Sequence, residues 1–330
     1  MLWWRNRKTG SAPPQRDDRP SHERAMAWAR AHTVPGRGVI VHTRQPVPYA
    51  EVTGYYIPTL YQWGQTELAR QYTRWLLSIQ LPGGAFPAPD GVPYTFDTAQ
   101  IMRGLCAALN DVDGAEVSLR KACDWMLTQV DPASGQLKTP STELWTDIAS
   151  DLIHTYALPP LAEAGRLLGV KEYEDAARVV LAYYKQQPGL VPFNRLSHFH
   201  AYAMEAVTEM GELDLARQGM ADVARVQRAD GSIPAYPDVE WVCSTGMAQY
   251  AIVWYALGDK GRADRAIAYL EKIQNPSGGF FGSYGKGAKY IAGGEISWGV
   301  KYFLDAWRLK LMSEGKWTQP VGNLSEPARV

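Results

Sequence analysis

Acidic, hydroxyl-bearing and aromatic side chains recur at one kind of place in this sequence: just after a long loop, where a helical stretch begins. Glu51-Val-Thr53-Gly54-Tyr55-Tyr56 opens one such stretch and Phe96-Asp97-Thr98-Ala-Gln100 the next. Glu143-Leu-Trp145-Thr146-Asp147-Ile-Ala-Ser150-Asp151 follows, then Ser197-His198-Phe-His200-Ala-Tyr202. Trp241-Val-Cys243-Ser-Thr245-Gly-Met-Ala-Gln249 and Glu295-Ile-Ser297-Trp298-Gly-Val-Lys301-Tyr302 complete the set. Two carboxylates facing each other across a cleft are the minimum for acid/base work on a glycosidic bond. A Tyr or His facing a carboxylate instead suits removal of the proton beside a uronic-acid carboxyl group, the first step of a lyase or an epimerase. The inventory fits both chemistries.

Each feature also has a plainer explanation. Asp97, Asp147 and Glu295 are caps or first-turn acids that the helix dipole favours. His198 and His200 are two residues apart, so they do not face one way on a helix, and a two-His metal site is not expected there. A hydrogen-bonded core histidine is the plain reading of His200. Glu205 and Lys301 lie a turn or two inside their helices. If they point inward they are buried charges that need partners and whose pKa values shift.

The elements that position these residues repeat. Helical stretches end at Gln80, Gln129, Gln187, Gln227 and Gln274, which are 49, 58, 40 and 47 positions apart. A Gly/Pro turn follows each Gln, then an apolar residue, a longer loop and another helix. Repeats of this length mean an array of one supersecondary unit. Expected helix pairs are 51–63 with 65–79, 95–109 with 115–129, 147–168 with 172–186, 197–210 with 213–227, and 244–257 with 260–273. A last helix is expected over 295–311 and a short capped one over 21–31. Leu68, Tyr72, Trp75, Leu76 and Ile79 show the three- and four-residue spacing. Short connections within a pair make its helices antiparallel neighbours. Long connections between pairs put all the long loops at one end, where sites form. The Ser21 helix brings the count to the twelve needed for six inner helices ringed by six outer ones. The inner helices are those that follow the long loops.

Domain expectations follow. Residues 1–20 form a polar, disordered leader; 21–50 a helix and an extended arm; 51–312 the helical array; 313–330 a tail. Twelve Trp and eighteen Tyr against seven Phe suit an aromatic cleft with polar edges, and also suit packing between helices. The 34 basic residues balance 34 acidic ones, and the cluster Arg5-Asn-Arg7-Lys8 is a solvated tail, so nucleic acid is not the expected partner. Cys106, Cys123 and Cys243 lack metal-ligand spacing, and their odd number points to a reducing compartment. No cofactor and no metal is called for. Met1-Leu-Trp-Trp-Arg is too short for a signal peptide, and no stretch is long enough for a membrane helix. The expectation is a soluble, cytoplasmic protein of undetermined oligomeric state. No GxxxxGK[ST], GxSxG or HExxH is present.

Two resemblances add to this. The repeated Gln, Gly and aromatic segment resembles the repeats of terpene cyclase and prenyltransferase toroids, but their Asp-x-Asp-Asp acid and Asp/Cys/His zinc set are missing. Asp111-Val-Asp113 falls in a short turn at the opposite end. Thr53-Gly-Tyr-Tyr-Ile-Pro-Thr59, Phe96-Asp97-Thr-Ala-Gln100, His198-Phe-His-Ala-Tyr202 and Glu295-Ile-Ser-Trp298 resemble segments of α/α toroid proteins of polysaccharide metabolism, such as unsaturated glucuronyl hydrolases and glucuronyl epimerase-like domains. That second resemblance implies an all-α (α/α) toroid of about six helical hairpins and a glycan-binding cleft. It makes Asp97, Asp147, Asp151, His198 and Glu295 the candidate catalytic residues, Asp97 and Asp151 foremost. Tyr55, Tyr56, Trp145, His200, Tyr202, Trp241, Gln249, Tyr290 and Trp298 are then candidates for substrate binding. The implied function is a hydrolase, lyase or epimerase acting on a uronic-acid-containing or related bacterial polysaccharide. An isoprenoid enzyme, or a non-catalytic glycan-binding or assembly protein, is the alternative.

Overall fold

A computed structural model of the chain describes residues 17–139 and 151–318. Trp145 and Asp147 lie outside the described residues. The helices are α1 (Ser21–Ala31), α2 (Ala50–Gln62), α3 (Thr66–Ile79), α4 (Thr95–Ala108), α5 (Ala115–Gln129), α6 (Leu158–Leu168), α7 (Lys171–Lys185), α8 (Ser197–Glu209), α9 (Leu213–Val226), α10 (Ser244–Ala256), α11 (Lys260–Ile273) and α12 (Ser297–Ser313). Two small antiparallel pairs complete the set: β1 (Ile40–His42) with β2 (Gln45–Pro48), and β3 (Val242–Cys243) with β4 (Ser283–Tyr284). The first pair lies between α1 and α2. The second is too short to carry a sequence signal.

The fold is an α/α toroid. Its inner ring runs α2, α4, α6 with the 3₁₀ turn before it, α8, α10 and α12, and α12 packs back on α2. Helices α3, α5, α7, α9 and α11 lie outside, each against the inner helix before it. Helix α1 packs against α12 and so takes the sixth outer place. Burial separates the two rings. Outer helices bury one stripe, such as Ala69, Tyr72, Thr73 and Leu76 of α3, the pattern of a helix with one wet face. Inner helices are buried all round, as from Ser197 to Thr208 in α8. The polar groups they carry must therefore find partners inside.

One expected helix differs. Over 147–168 the described part is a 3₁₀ turn at Asp151–Ala157 followed by α6. Pro159 and Pro160 explain the break. Proline lacks an N–H and crowds the preceding turn, so it fits the start of a helix and not its interior.

The Gln turns work as clasps between outer helices. Gln80 Nε2 donates to Gly84 O at 2.8 Å and Ser118 O at 2.9 Å. Gln227 Nε2 reaches Gly231 O and Arg262 O in the same way, at 3.3 and 3.1 Å. Gln274 Nε2 reaches Gly278 O and Ser21 O, both at 2.9 Å. The same device thus joins α3 to α5, α9 to α11, and α11 to α1, where it closes the ring.

Candidate active site at the centre of the ring

Asp97 stands in the first turn of α4 and is 1% exposed. Its Oδ2 accepts a hydrogen bond from Tyr49 Oη at 2.7 Å. No partner among the described residues reaches Oδ1. Burial drives this carboxyl above the usual range, against the hydroxyl of Tyr49, and Asp90 adds repulsion. Glu51, in the first turn of α2, is also raised. Burial is the main cause and the Asp97 charge adds to it, while Lys301 and a hydrogen bond from Tyr55 oppose it. Two buried carboxyls that repel one another do not both ionise near neutral pH.

Lys301 lies below them on α12. Its Nζ is 2.9 Å from Asp305 Oδ2, 3.8 Å from the Tyr302 ring centre and 5.0 Å from that of Tyr55. Thr59 Oγ1 donates to Asp305 Oδ1 at 2.7 Å and holds that carboxylate for the lysine. The ammonium is paired with a carboxylate and two ring faces, which offsets its loss of water.

Glu205 of α8 is 4% exposed. Tyr156 Oη donates to its Oε2 at 2.9 Å, and Tyr302 Oη lies 3.0 Å from Tyr156 Oη. Glu205 Oε1 has no partner among the described residues. Burial pushes its carboxyl up to about 8, although Lys301 pulls it down. The Arg103 guanidinium sits 4.5 Å over the Tyr156 ring, and its Nη1 donates to Glu209 Oε2 at 2.7 Å.

Aromatic rings wall this column of charge. Tyr202 lies 4.6 Å from Tyr156, 5.1 Å from Phe96 and 4.4 Å from His198, between ring centres. Tyr290, on the loop between β4 and α12, covers His198 at 6.0 Å and Trp298 at 6.5 Å. The next residue, Ile291, has φ +44°. A β-branched residue in that region is strained, and such strain collects where a loop must hold a side chain over a site.

The structure therefore gathers Asp97, Tyr55, His198, Tyr202, Gln249, Tyr290 and Trp298. It places the other described candidates elsewhere. Asp151 is 39% exposed and bonds Gln136, His154 and Tyr184. Glu295 accepts from Trp28 Nε1 at 2.6 Å, Asn275 Nδ2 at 2.8 Å and Ser277 Oγ, and so ties α1 to the last long loop. Tyr56 donates to Ser297 O at 3.0 Å and packs edge-on to Tyr72 of the outer ring. Trp241 packs edge-on to Tyr236. His200 is held at both nitrogens: a carbonyl only accepts, so Nε2–H donates to Val191 O and Nδ1 accepts from Tyr250 Oη, each at 2.9 Å.

Tyr49, Glu51, Tyr156, Glu205, Lys301 and Tyr302 complete the cluster and were not among the candidates. A signal existed for three of them: Glu51 is one turn before Tyr55, and Glu205 and Lys301 are charges inside otherwise apolar stretches. Among the described residues no group of three or more His, Cys, Asp or Glu side chains is arranged to hold a metal ion. No helix there is long and apolar enough to cross a membrane.

Glu205 gives a pH test. A carboxyl with a higher pKa in the folded chain than in the unfolded one keeps its proton longer when folded. Its stabilising contribution is complete below the ordinary value of about 4.3 and is lost as pH rises through about 8. Gln does not titrate. Wild type should therefore lose stability relative to Glu205→Gln across that window, by up to about 1.4 kcal/mol per pH unit. Urea unfolding of both proteins at acid, neutral and mildly alkaline pH measures it. A constant difference between them would show that Glu205 titrates normally.

Fold and centre together define an α/α toroid closed around acids and tyrosines, a fold carried by carbohydrate-active enzymes. Among solved structures the chain is similar to an unsaturated glucuronyl hydrolase specific for heparin, with a TM-score of 0.70 and 14% identity over 89% of this chain and 97% of that one. It is also similar to a novel alpha-amylase from Clostridium perfringens (TM-score 0.67, 13% identity, 89% and 99% covered). A polysaccharide lyase gives 0.61 and 13%, with 91% and 99% covered. At these identities the likeness is one of fold. No protein-family model and no curated protein matches the chain.

Proposed function

We propose that this chain is a glycan-processing enzyme acting on a uronic-acid-containing or related polysaccharide, with Asp97 as its proton donor. The observation that carries this reading is the asymmetry of the Asp97 carboxyl. Tyr49 occupies Oδ2 as a donor, so the proton of the neutral acid belongs on Oδ1, the oxygen without a partner among the described residues. A buried carboxylic acid kept protonated near neutral pH can deliver that proton to a leaving oxygen. Glu51 is the second carboxyl of the pair. Tyr202, Tyr290 and Trp298 supply ring faces against which a sugar stacks. The glycan-processing proteins that share the fold support the substrate class.

The test is a panel of acidic polysaccharides and their oligosaccharides, followed on three channels. New reducing ends mean hydrolysis. New ultraviolet absorbance of an unsaturated uronate means elimination, and its loss from an already unsaturated substrate means a glucuronyl hydrolase. Deuterium uptake from heavy water without cleavage means epimerisation. Silence on all channels, with glycan binding retained in a thermal-shift assay, would replace the enzyme with a binding protein. Silence in both would overturn the glycan reading.

A further inference from the structure

His198 and His200 stand two residues apart on α8, yet their rings are wired differently. His200 uses both nitrogens on protein groups. His198 uses one. Its Nδ1 lies 2.6 Å from Gln249 Oε1 on α10, and no hydrogen-bond partner among the described residues reaches its Nε2. An amide oxygen only accepts, so Nδ1 carries the proton and Nε2 presents its lone pair. The ring lies 4.4 Å from Tyr202 and 6.0 Å from Tyr290, inside the central cluster. Gln249 is fully buried, and its Nε2 has no partner among the described residues. Burying an amide with an open donor is costly, and the hydrogen bond to His198 is what that amide provides in return.

We propose that Gln249 is a positioning residue that holds His198 in the Nδ1–H tautomer, so that the bare Nε2 accepts a hydrogen bond from an O–H group at the site, a sugar hydroxyl or a water. Burial supports this by keeping the ring neutral, with its pKa pushed down to about 3. The tautomer stands on geometry alone; the identity of the O–H donor rests on the glycan reading above.

The test is ring-nitrogen NMR on the full chain labelled with ¹⁵N-histidine, with the His198 signals identified by their loss in His198→Gln. Wild type should show a protonated Nδ1 and a bare Nε2. Gln249→Met should abolish that preference, and Gln249→Glu should keep it, since a carboxylate accepts in the same place. On a glycan that is turned over, Gln249→Met should lower kcat by about 10- to 100-fold with KM little changed, the size of effect expected when a partner that orients a reacting ring is lost. Gln249→Glu should recover part of the loss. A wild-type ring protonated on Nε2, or a tautomer unmoved in Gln249→Met, would overturn the proposal. If Gln249→Met does not fold, the wild-type and Gln249→Glu spectra decide it. The correct tautomer on a protein silent to every glycan would sink the glycan reading and leave this inference standing.

Discussion

Replacing Asp97 with Asn should lower kcat on the responsive glycan by about 10²- to 10⁴-fold, the usual worth of a positioned general acid. Asn has the same shape, and its Oδ1 still accepts from the Tyr49 hydroxyl. It cannot donate an acidic proton. Glycan affinity should stay close to wild type, and thermal stability should not fall, because the substitution removes an ionisable group from a buried place. In wild type the rate should decline as pH rises through the raised pKa of this carboxyl, since the donor form is then depleted; that decline should be absent from the residual activity of the variant. Turnover within tenfold of wild type would remove Asp97 from the mechanism. Tyr49→Phe offers a milder version: the proton is then free to reside on either oxygen.

Gly231→Ala should destabilise the protein by about 3 kcal/mol or more, in the range of an overpacked site combined with left-handed backbone strain. Its φ is +89°, and a Cβ there would lie 2.1 Å from Arg265 O of α11. The glycine lets the Gln227 turn press against the next outer helix, and the neighbour in the way is backbone. Gly211→Ala is the control. Gly211 has φ +83° with nothing within 4 Å of an added Cβ, so only the backbone strain applies, about 1 kcal/mol. Chemical unfolding of the two variants compares them directly. Equal losses would mean that the close approach at Gly231 contributes nothing to stability.

Gln80, Gln227 and Gln274 show what the sequence could reveal. Each lies four residues before a glycine, and each makes the same pair of bonds. Gln129 and Gln187 have the same place in the repeat but other turn lengths, and their amides stay local, on Thr128 Oγ1 and Tyr183 O. The repeat and the toroid were thus legible from local patterns. The site was legible only in part. Asp97 and Tyr202 announce themselves at the inner-helix starts. Tyr49 precedes its helix in an ordinary extended segment, and its partner is 48 residues away. Tyr156 sits in a 3₁₀ turn, 49 residues from Glu205. Such pairings arise from the angle at which neighbouring inner helices meet, which no local spacing encodes. The acids at Asp151 and Glu295 carry the same first-turn signal as Asp97, yet they meet hydroxyls, amides and an indole outside the central column. A signal that says where a helix starts does not say which way the side chain turns.

Closure by α1 has a consequence for the order of assembly. Ser21 and Gln274 are 253 residues apart, and Trp28 and Glu295 are 267 apart. Loop closure over such separations is slow. On a ribosome α1 is made before α2 to α12, and the buried face of Ala25, Met26, Trp28 and Ala29 has to wait until α12 has been synthesised. The five preceding hairpins can stack as they emerge, but the end of the stack exposes α12 until that first helix returns to it. The interval between those two events is when a second chain, offering its own α1, competes for the same groove.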